Sequence, residues 1–141
     1  MRARAGVVVI DGYCGVCARS ADLLVRLDRR ARLTIVPSQE LGALDRYGLT
    51  PGQVAASVWF LPRPADGGRG SGRTARPVGG ARAVGAALDT ALGIRLFEPI
   101  AGAPLLGRVI ERGYRWVAAN RRRLPGATPW CHRVDTCAEP A

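Results

Sequence analysis

Two cysteines separated by two residues, Cys14 and Cys17, stand at the end of Val7-Val8-Val9-Ile10-Asp11-Gly12-Tyr13-Cys14-Gly15-Val16-Cys17. Thiols at this spacing suit disulfide exchange, in which one attacks and the other resolves the mixed disulfide. Four consecutive β-branched residues suit a buried strand, and Asp11-Gly12 suits a tight turn. The following segment has helical periodicity, which puts Cys14 at a helix N-terminus. There, unpaired N–H groups and the helix dipole favour thiolate over thiol, and comparable cysteines have pKa values of about 3.5 to 7.5. Cys17 falls one turn later, facing Cys14. The expected division of labour is attack by Cys14 and resolution by Cys17. Alkylation is expected to reach Cys14 well before Cys17, which Val16 and the strand should shield.

The competing reading of the pair is structural: inert buried thiols, or half of a zinc site completed by Cys131, His132 and Cys137 of the tail. A small zinc-binding interaction module is therefore the alternative function. A zinc knuckle does not usually begin with a buried strand and continue as an amphipathic helix, and this favours redox chemistry. Cys131 and Cys137 have further readings as a tail disulfide, a second redox pair or idle thiols. Idle thiols, occasionally oxidised to a pair, are the expectation in a reducing cytosol. Asp11 can accept the proton of Cys17, cap the helix, or simply open the turn. Tyr13, Gly15 and Val16 occupy the loop and the intervening dipeptide, where they are expected to contact substrate and tune access and potential.

The surrounding elements follow from pattern. Cys17, Ala21, Leu24 and Val25 recur at helical spacing, Asp22 and Arg26 form an i,i+4 pair, and the helix should end near Arg30. Leu33-Thr34-Ile35-Val36 reads as a second strand stopped by Pro37. Ser38 is expected to cap a short helix carrying Leu41, Leu44 and Tyr47 inward, with Gly48 at its end. Thr50-Pro51 opens another helix, and Val58 to Leu61 make a third strand. Residues 62–72 read as a mobile hairpin loop, and 74–78 as a fourth, edge strand because of Pro77. A small-residue helix then presents Val84, Leu88 and Leu92 before Gly93. A turn over 94–97 and a long helix from Pro104 to about Leu124 complete the pattern.

The segment from Asp11 to Cys17 resembles the signature of the DCC family of thiol-disulfide oxidoreductases, named for an Asp-x-x-Cys-x-x-Cys motif. The likeness extends over the first strand-helix-strand unit, the small-residue helix near 79–92, and the late Tyr-Arg-Trp-Val-Ala-Ala-Asn-Arg segment at 114–121. It implies a thioredoxin-like α/β fold: a mixed four-stranded sheet flanked by helices, with a C-terminal helical extension. It also implies an oxidoreductase whose catalytic residues are Cys14, Cys17 and Asp11. The only redox group would be the Cys14-Cys17 disulfide, with no separate cofactor or metal. The substrate would be a protein or small-molecule thiol or disulfide. Tyr114, Trp116 and Arg121 match the late segment and are expected to serve in packing. One departure concerns docking, because thioredoxin-like enzymes carry a cis-proline before the third strand and here Ala56-Ser57 precede Val58.

At 141 residues the chain is expected to form a thioredoxin-like domain over 1–93, a helical extension over 94–124 on the same domain, and a Pro/Cys-containing tail over 125–141. All 21 basic residues are arginine and the net charge is +10. The arginines are spread along the chain and no RNA- or DNA-binding motif accompanies them, so no specific nucleic-acid partner is expected. No apolar run approaches the roughly 20 residues of a membrane span, and the start of the chain does not read as a secretory signal. A cytoplasmic location is the expectation.

Overall fold

The computed structural model describes residues 4–64 and 76–137. Four strands form one mixed sheet: β1 (Arg4–Ile10), β2 (Leu33–Pro37), β3 (Trp59–Pro64) and β4 (Val78–Gly79), in the order β2-β1-β3-β4. β1 runs parallel to β2, with Val8 opposite Ile35, and antiparallel to β3, with Val8 opposite Phe60. β4 is antiparallel to β3. Helix α1 (Gly15–Leu27) connects β1 to β2; α2 (Ala43–Tyr47) and α3 (Pro51–Ala56) precede β3; and α4 (Ala81–Leu92) follows β4. This is the thioredoxin-like arrangement.

The central position of β1 explains its unbroken apolar run, since a strand covered on both faces has no polar side to offer. Val8 and Ile10 pack with Ala21 and Leu24 of α1, Phe60, and Ala83, Ala86 and Ala87 of α4. Val7 and Val9 point the other way, toward Val36, Ala43, Leu49 and Val54. A buried β1 thus delivers the Asp11-Gly12 turn to a fixed place at the sheet's end.

Several boundaries differ from expectation, each for a local reason. α1 stops at Leu27, because Asp28 turns the chain: its carboxylate accepts the N–H groups of Arg32 and Leu33 at 2.9 and 2.8 Å. Ser38 caps no helix. α2 begins behind Gly42, whose φ of 77° suits glycine, and Leu41 is left 75% exposed. Gly48 ends α2 as expected, and Thr50 and Gln53 form a full capping box on α3.

Residues 62–64, expected in a loop, continue β3. Gly6 turns its N–H toward β2, donating to the Arg32 carbonyl at 3.0 Å, so Pro62 opposite it lacks an N–H only on the side away from β1. There β4 pairs only Trp59 and Phe60, and no ladder bond is lost. The remainder of the expected loop and residues 74–75 of the expected strand lie outside the described residues. On α4 most of the buried residues are alanines, which let the helix lie close to the sheet, while Val84 and Leu92 are exposed.

Beyond α4, the buried Asp89 carboxylate accepts N–H groups from Leu96, Phe97 and Glu98, setting the start of α5 (Phe97–Ala101). α6 (Leu106–Asn120) ends four residues earlier than the sequence pattern suggested. Glu111 of α6 accepts the Ala81 N–H at 3.1 Å, placing a carboxylate at the start of α4. The chain then returns to the sheet's end through a single 3-10 turn, Trp130–His132, where Trp130 packs against the Val8 cluster. No helix among the described residues is long and apolar enough to cross a membrane.

Candidate active site

Cys14 is the N-cap of α1. Its backbone is extended, its N–H donates to the Asp11 carbonyl at 3.2 Å, and its sulfur accepts the Cys17 N–H at 3.3 Å. Both cysteines are free thiols. The hydrogen bond with Cys17 brings Cys14 from 9.0 down to about 6, assisted by the Cys17 backbone N–H and by Arg121, and opposed by burial and by the Asp11 charge. Cys17 moves the opposite way, above its ordinary value, because it donates to the Cys14 thiolate, is buried, and faces that negative charge. One thiol is therefore primed to ionise while its neighbour keeps a proton.

Asp11 does not cap α1, since the N-cap is Cys14. Its Oδ1 accepts from the Tyr13 N–H at 3.1 Å, closing the turn, and from Gln39 Nε2 at 2.9 Å. Gln39 Oε1 in turn accepts the Gly12 N–H at 2.8 Å, so one side chain from the segment after β2 braces both residues of the turn. Oδ2 of Asp11 pairs with Arg121 at 3.2 Å, and the same guanidinium reaches the Cys17 sulfur at 3.9 Å and the Ala55 carbonyl at 3.2 Å. Arg121, expected to be a packing residue, thus sits against two of the three candidate catalytic side chains.

Tyr114, about two turns before Arg121 along α6, accepts the Val58 N–H at 2.8 Å. Burial raises the pKa of its hydroxyl. This bond lies just before β3, where thioredoxin-like enzymes place their cis-proline, and no peptide bond among the described residues is cis. Trp116, the third residue of the matched late segment, is 61% exposed and touches none of this. Gln39 was missed in the sequence because nothing local marks it, whereas Arg121 was visible as part of the late segment but had no spacing relation to the cysteines.

The tail corrects a second expectation. Cys14 is only 8% exposed while Cys17 is half-buried, the reverse of the predicted shielding. Ala127 donates its N–H to the Gly15 carbonyl at 3.0 Å and Cys131 donates to the Gly12 carbonyl at 2.8 Å. Gly126 lies so close to Gly15 that a Cβ at either position would strike the other segment's backbone. Arg133 clamps the tail to α1 through a two-bond ion pair with Asp22, at 2.7 and 3.1 Å, which holds the Asp22 carboxyl below its usual range. Asp22 was expected to pair with Arg26; its hydrogen-bonded partner is Arg133.

Two hollows flank the cysteines. A polar cleft of about 470 Å³ borders Cys14 together with Tyr13, Gly15, Val16 and Arg122. A mostly apolar cavity of about 230 Å³ opens on the Cys17 side, between α1, α4 and α6. Arg121 and Asp11 border both.

The family profile of the DCC1-like thiol-disulfide oxidoreductases matches residues 8–127, from the buried strand to the tail residues over Gly15. The chain belongs to this family. No curated protein and no solved structure matches it. Membership makes thiol-disulfide oxidoreductase chemistry the general function of the chain. The zinc arrangement does not assemble: Cys131 and Cys137 are joined to each other in a disulfide, and among the described residues no three His, Cys, Asp or Glu side chains gather as a metal site.

Proposed function

We propose that this DCC1-like protein exchanges disulfides through a Cys14 nucleophile and a Cys17 resolving thiol. The supporting observation is the hydrogen bond from the Cys17 N–H to the Cys14 sulfur at the start of α1, which favours Cys14 as the thiolate. Cys14 attacks one sulfur of a substrate disulfide and expels the other as a thiolate, which takes up a proton. Cys17 then gives up its proton and attacks the Cys14 sulfur, releasing the substrate as a dithiol. Two electrons pass to the substrate and the enzyme is left with a Cys14-Cys17 disulfide; the reverse sequence oxidises a dithiol. Relative potentials set the direction.

In this reading Asp11 receives the Cys17 proton, and Arg121 positions Asp11 while favouring the Cys17 thiolate as it forms. Tyr13, Gly15 and Val16 line the cleft beside Cys14 and contact the incoming thiol or disulfide. A reducing compartment such as the cytoplasm would keep the pair resting as the dithiol.

Trapping tests the assignment. Cys17→Ser should accumulate a mixed disulfide with a disulfide-bonded peptide substrate, and Cys14→Ser should not. The reverse pattern, seen by non-reducing mass spectrometry, would exchange the two roles.

A further inference from the structure

The tail that buries Cys14 carries a disulfide of its own, Cys131–Cys137, closing a loop of only six residues in sequence separation. A loop this short restrains the unfolded chain least, so stabilisation by loop closure is a weak reason for the bond. Its position is more telling. Cys131 is hydrogen-bonded to Gly12, and its sulfur rests where a Cβ of Gly12 would be, so the absence of a side chain brings that sulfur against the turn that leads into Cys14. Cys137 bridges to Glu40, next to the Gln39 that braces the same turn. Neither Cys131 nor Cys137 is fully buried.

We propose that Cys131–Cys137 is a second redox centre that exchanges electrons with the Cys14/Cys17 pair, making the tail an intramolecular substrate and the protein a two-disulfide relay. This rests on the Cys14/Cys17 chemistry above. The tail segment that narrows access to Cys14 for an outside disulfide holds an inside one against the active-site turn. The two pairs stand in opposite states, a dithiol at Cys14/Cys17 and a disulfide at Cys131/Cys137, so the transfer needs no other oxidant.

The Cys14 thiolate attacks the Cys131 sulfur, breaking the tail bond, and Cys137 leaves as a thiolate and is protonated. Cys17 loses its proton and attacks the Cys14 sulfur, and Cys131 leaves and is protonated. The Cys14/Cys17 pair is oxidised by two electrons and the tail pair is reduced by two; of the two protons that end on Cys131 and Cys137, one comes from Cys17 and one is taken up from solvent, because Cys14 starts as the thiolate. Run backwards, a tail dithiol reduced by an outside thiol recharges the buried pair.

The test follows the disulfide through the full chain. Fully oxidised protein is reduced by one equivalent of dithiol, quenched in acid at intervals and mapped by alkylation and mass spectrometry. The remaining disulfide should redistribute between the two pairs at a first-order rate unchanged on dilution, and Cys14→Ser should abolish the redistribution. The double variant Cys17→Ser/Cys137→Ser should form an intramolecular Cys14–Cys131 bond. A static disulfide, a rate that falls with dilution, or no Cys14–Cys131 bond overturns the relay. Glutathione disulfide added to wild-type protein reduced at Cys14/Cys17 with its tail bond intact separates the two proposals: its consumption beside a static tail bond sinks the relay alone, and no consumption sinks both.

Discussion

The guanidinium of Arg121 lies 3.2 Å from the Asp11 carboxylate and 3.9 Å from the Cys17 sulfur, joining the end of α6 to the turn before α1. One cation thereby faces both partners of the proposed proton transfer: the Asp11 carboxylate and the Cys17 sulfur. Arg121→Gln should raise the Cys14 pKa by about 1 unit or less, since the nearby charge lowers it but is not its first cause. Thiolate absorbance in the ultraviolet against pH measures this. Resolution should slow as well, because the Cys17 thiolate loses its counter-charge. An unchanged Cys14 titration would remove Arg121 from the thiol electrostatics.

Asp11 opposes ionisation of both thiols through its charge, yet in the proposed mechanism it accepts the Cys17 proton. Asp11→Asn keeps the shape of the turn and separates these effects. The Cys14 pKa should fall further while release of the mixed disulfide slows by about a hundredfold, at the lower end of general-base contributions. Stopped-flow measurement of both steps decides the matter. A lowered pKa with unchanged release would assign the proton to another acceptor.

The core and the cysteine pair were legible in sequence because both depend on local order. Residues 7–10 read as a buried strand, and the Asp-Gly turn with helical spacing beyond it put Cys14 at the start of α1. What was illegible came from contacts distant in sequence. Gln39 reaches Asp11 across 28 residues, and Arg121 reaches Cys17 across 104. No periodicity reports such pairings. The tail was read as an appendage because its Pro, Thr and Arg residues show no pattern, although Trp130 anchors it in the core. The buried face of α4 was misread for a different reason: alanine scores low for hydrophobicity, but close helix-to-sheet packing prefers it to Val84 or Leu92.

The displaced thiol pKa values also make the stability of the reduced protein depend on pH. Cys14 titrates at about 6 when folded and near 9.0 when unfolded, so between those values the unfolded chain binds the extra proton. Stability must then rise with pH across that window, be fully present above about 9, and be lost as pH falls through about 6. At about 1.4 kcal/mol per pH unit the ceiling is about 4 kcal/mol. Cys17 and Tyr114 have raised values and act in the opposite sense, so their contributions fade as pH climbs beyond 9. Urea unfolding of reduced wild type against Cys14→Ser should show their difference growing from pH 6 to 9. A flat difference would contradict the lowered Cys14 value.

Cys14 combines high intrinsic reactivity with poor access, and these can be separated at Gly126. The tail covers Cys14 through close backbone contact between Gly126 and Gly15 and through the hydrogen bonds Ala127 to Gly15 and Cys131 to Gly12. A larger residue cannot fit there without lifting the tail. Gly126→Val should therefore expose Cys14 while leaving its bond with the Cys17 N–H, its main source of acidity, in place. Two backbone hydrogen bonds at about 1 kcal/mol each correspond to roughly a tenfold or greater rise in alkylation rate once the tail is displaced. Iodoacetamide labelling at a pH above 6, resolved by peptide mapping, measures the rate at Cys14 and Cys17 together. Cys14 should accelerate far more than Cys17, which already opens onto the apolar cavity beside α4. Equal rates at Cys14 in the two proteins would mean that the tail does not guard the nucleophile.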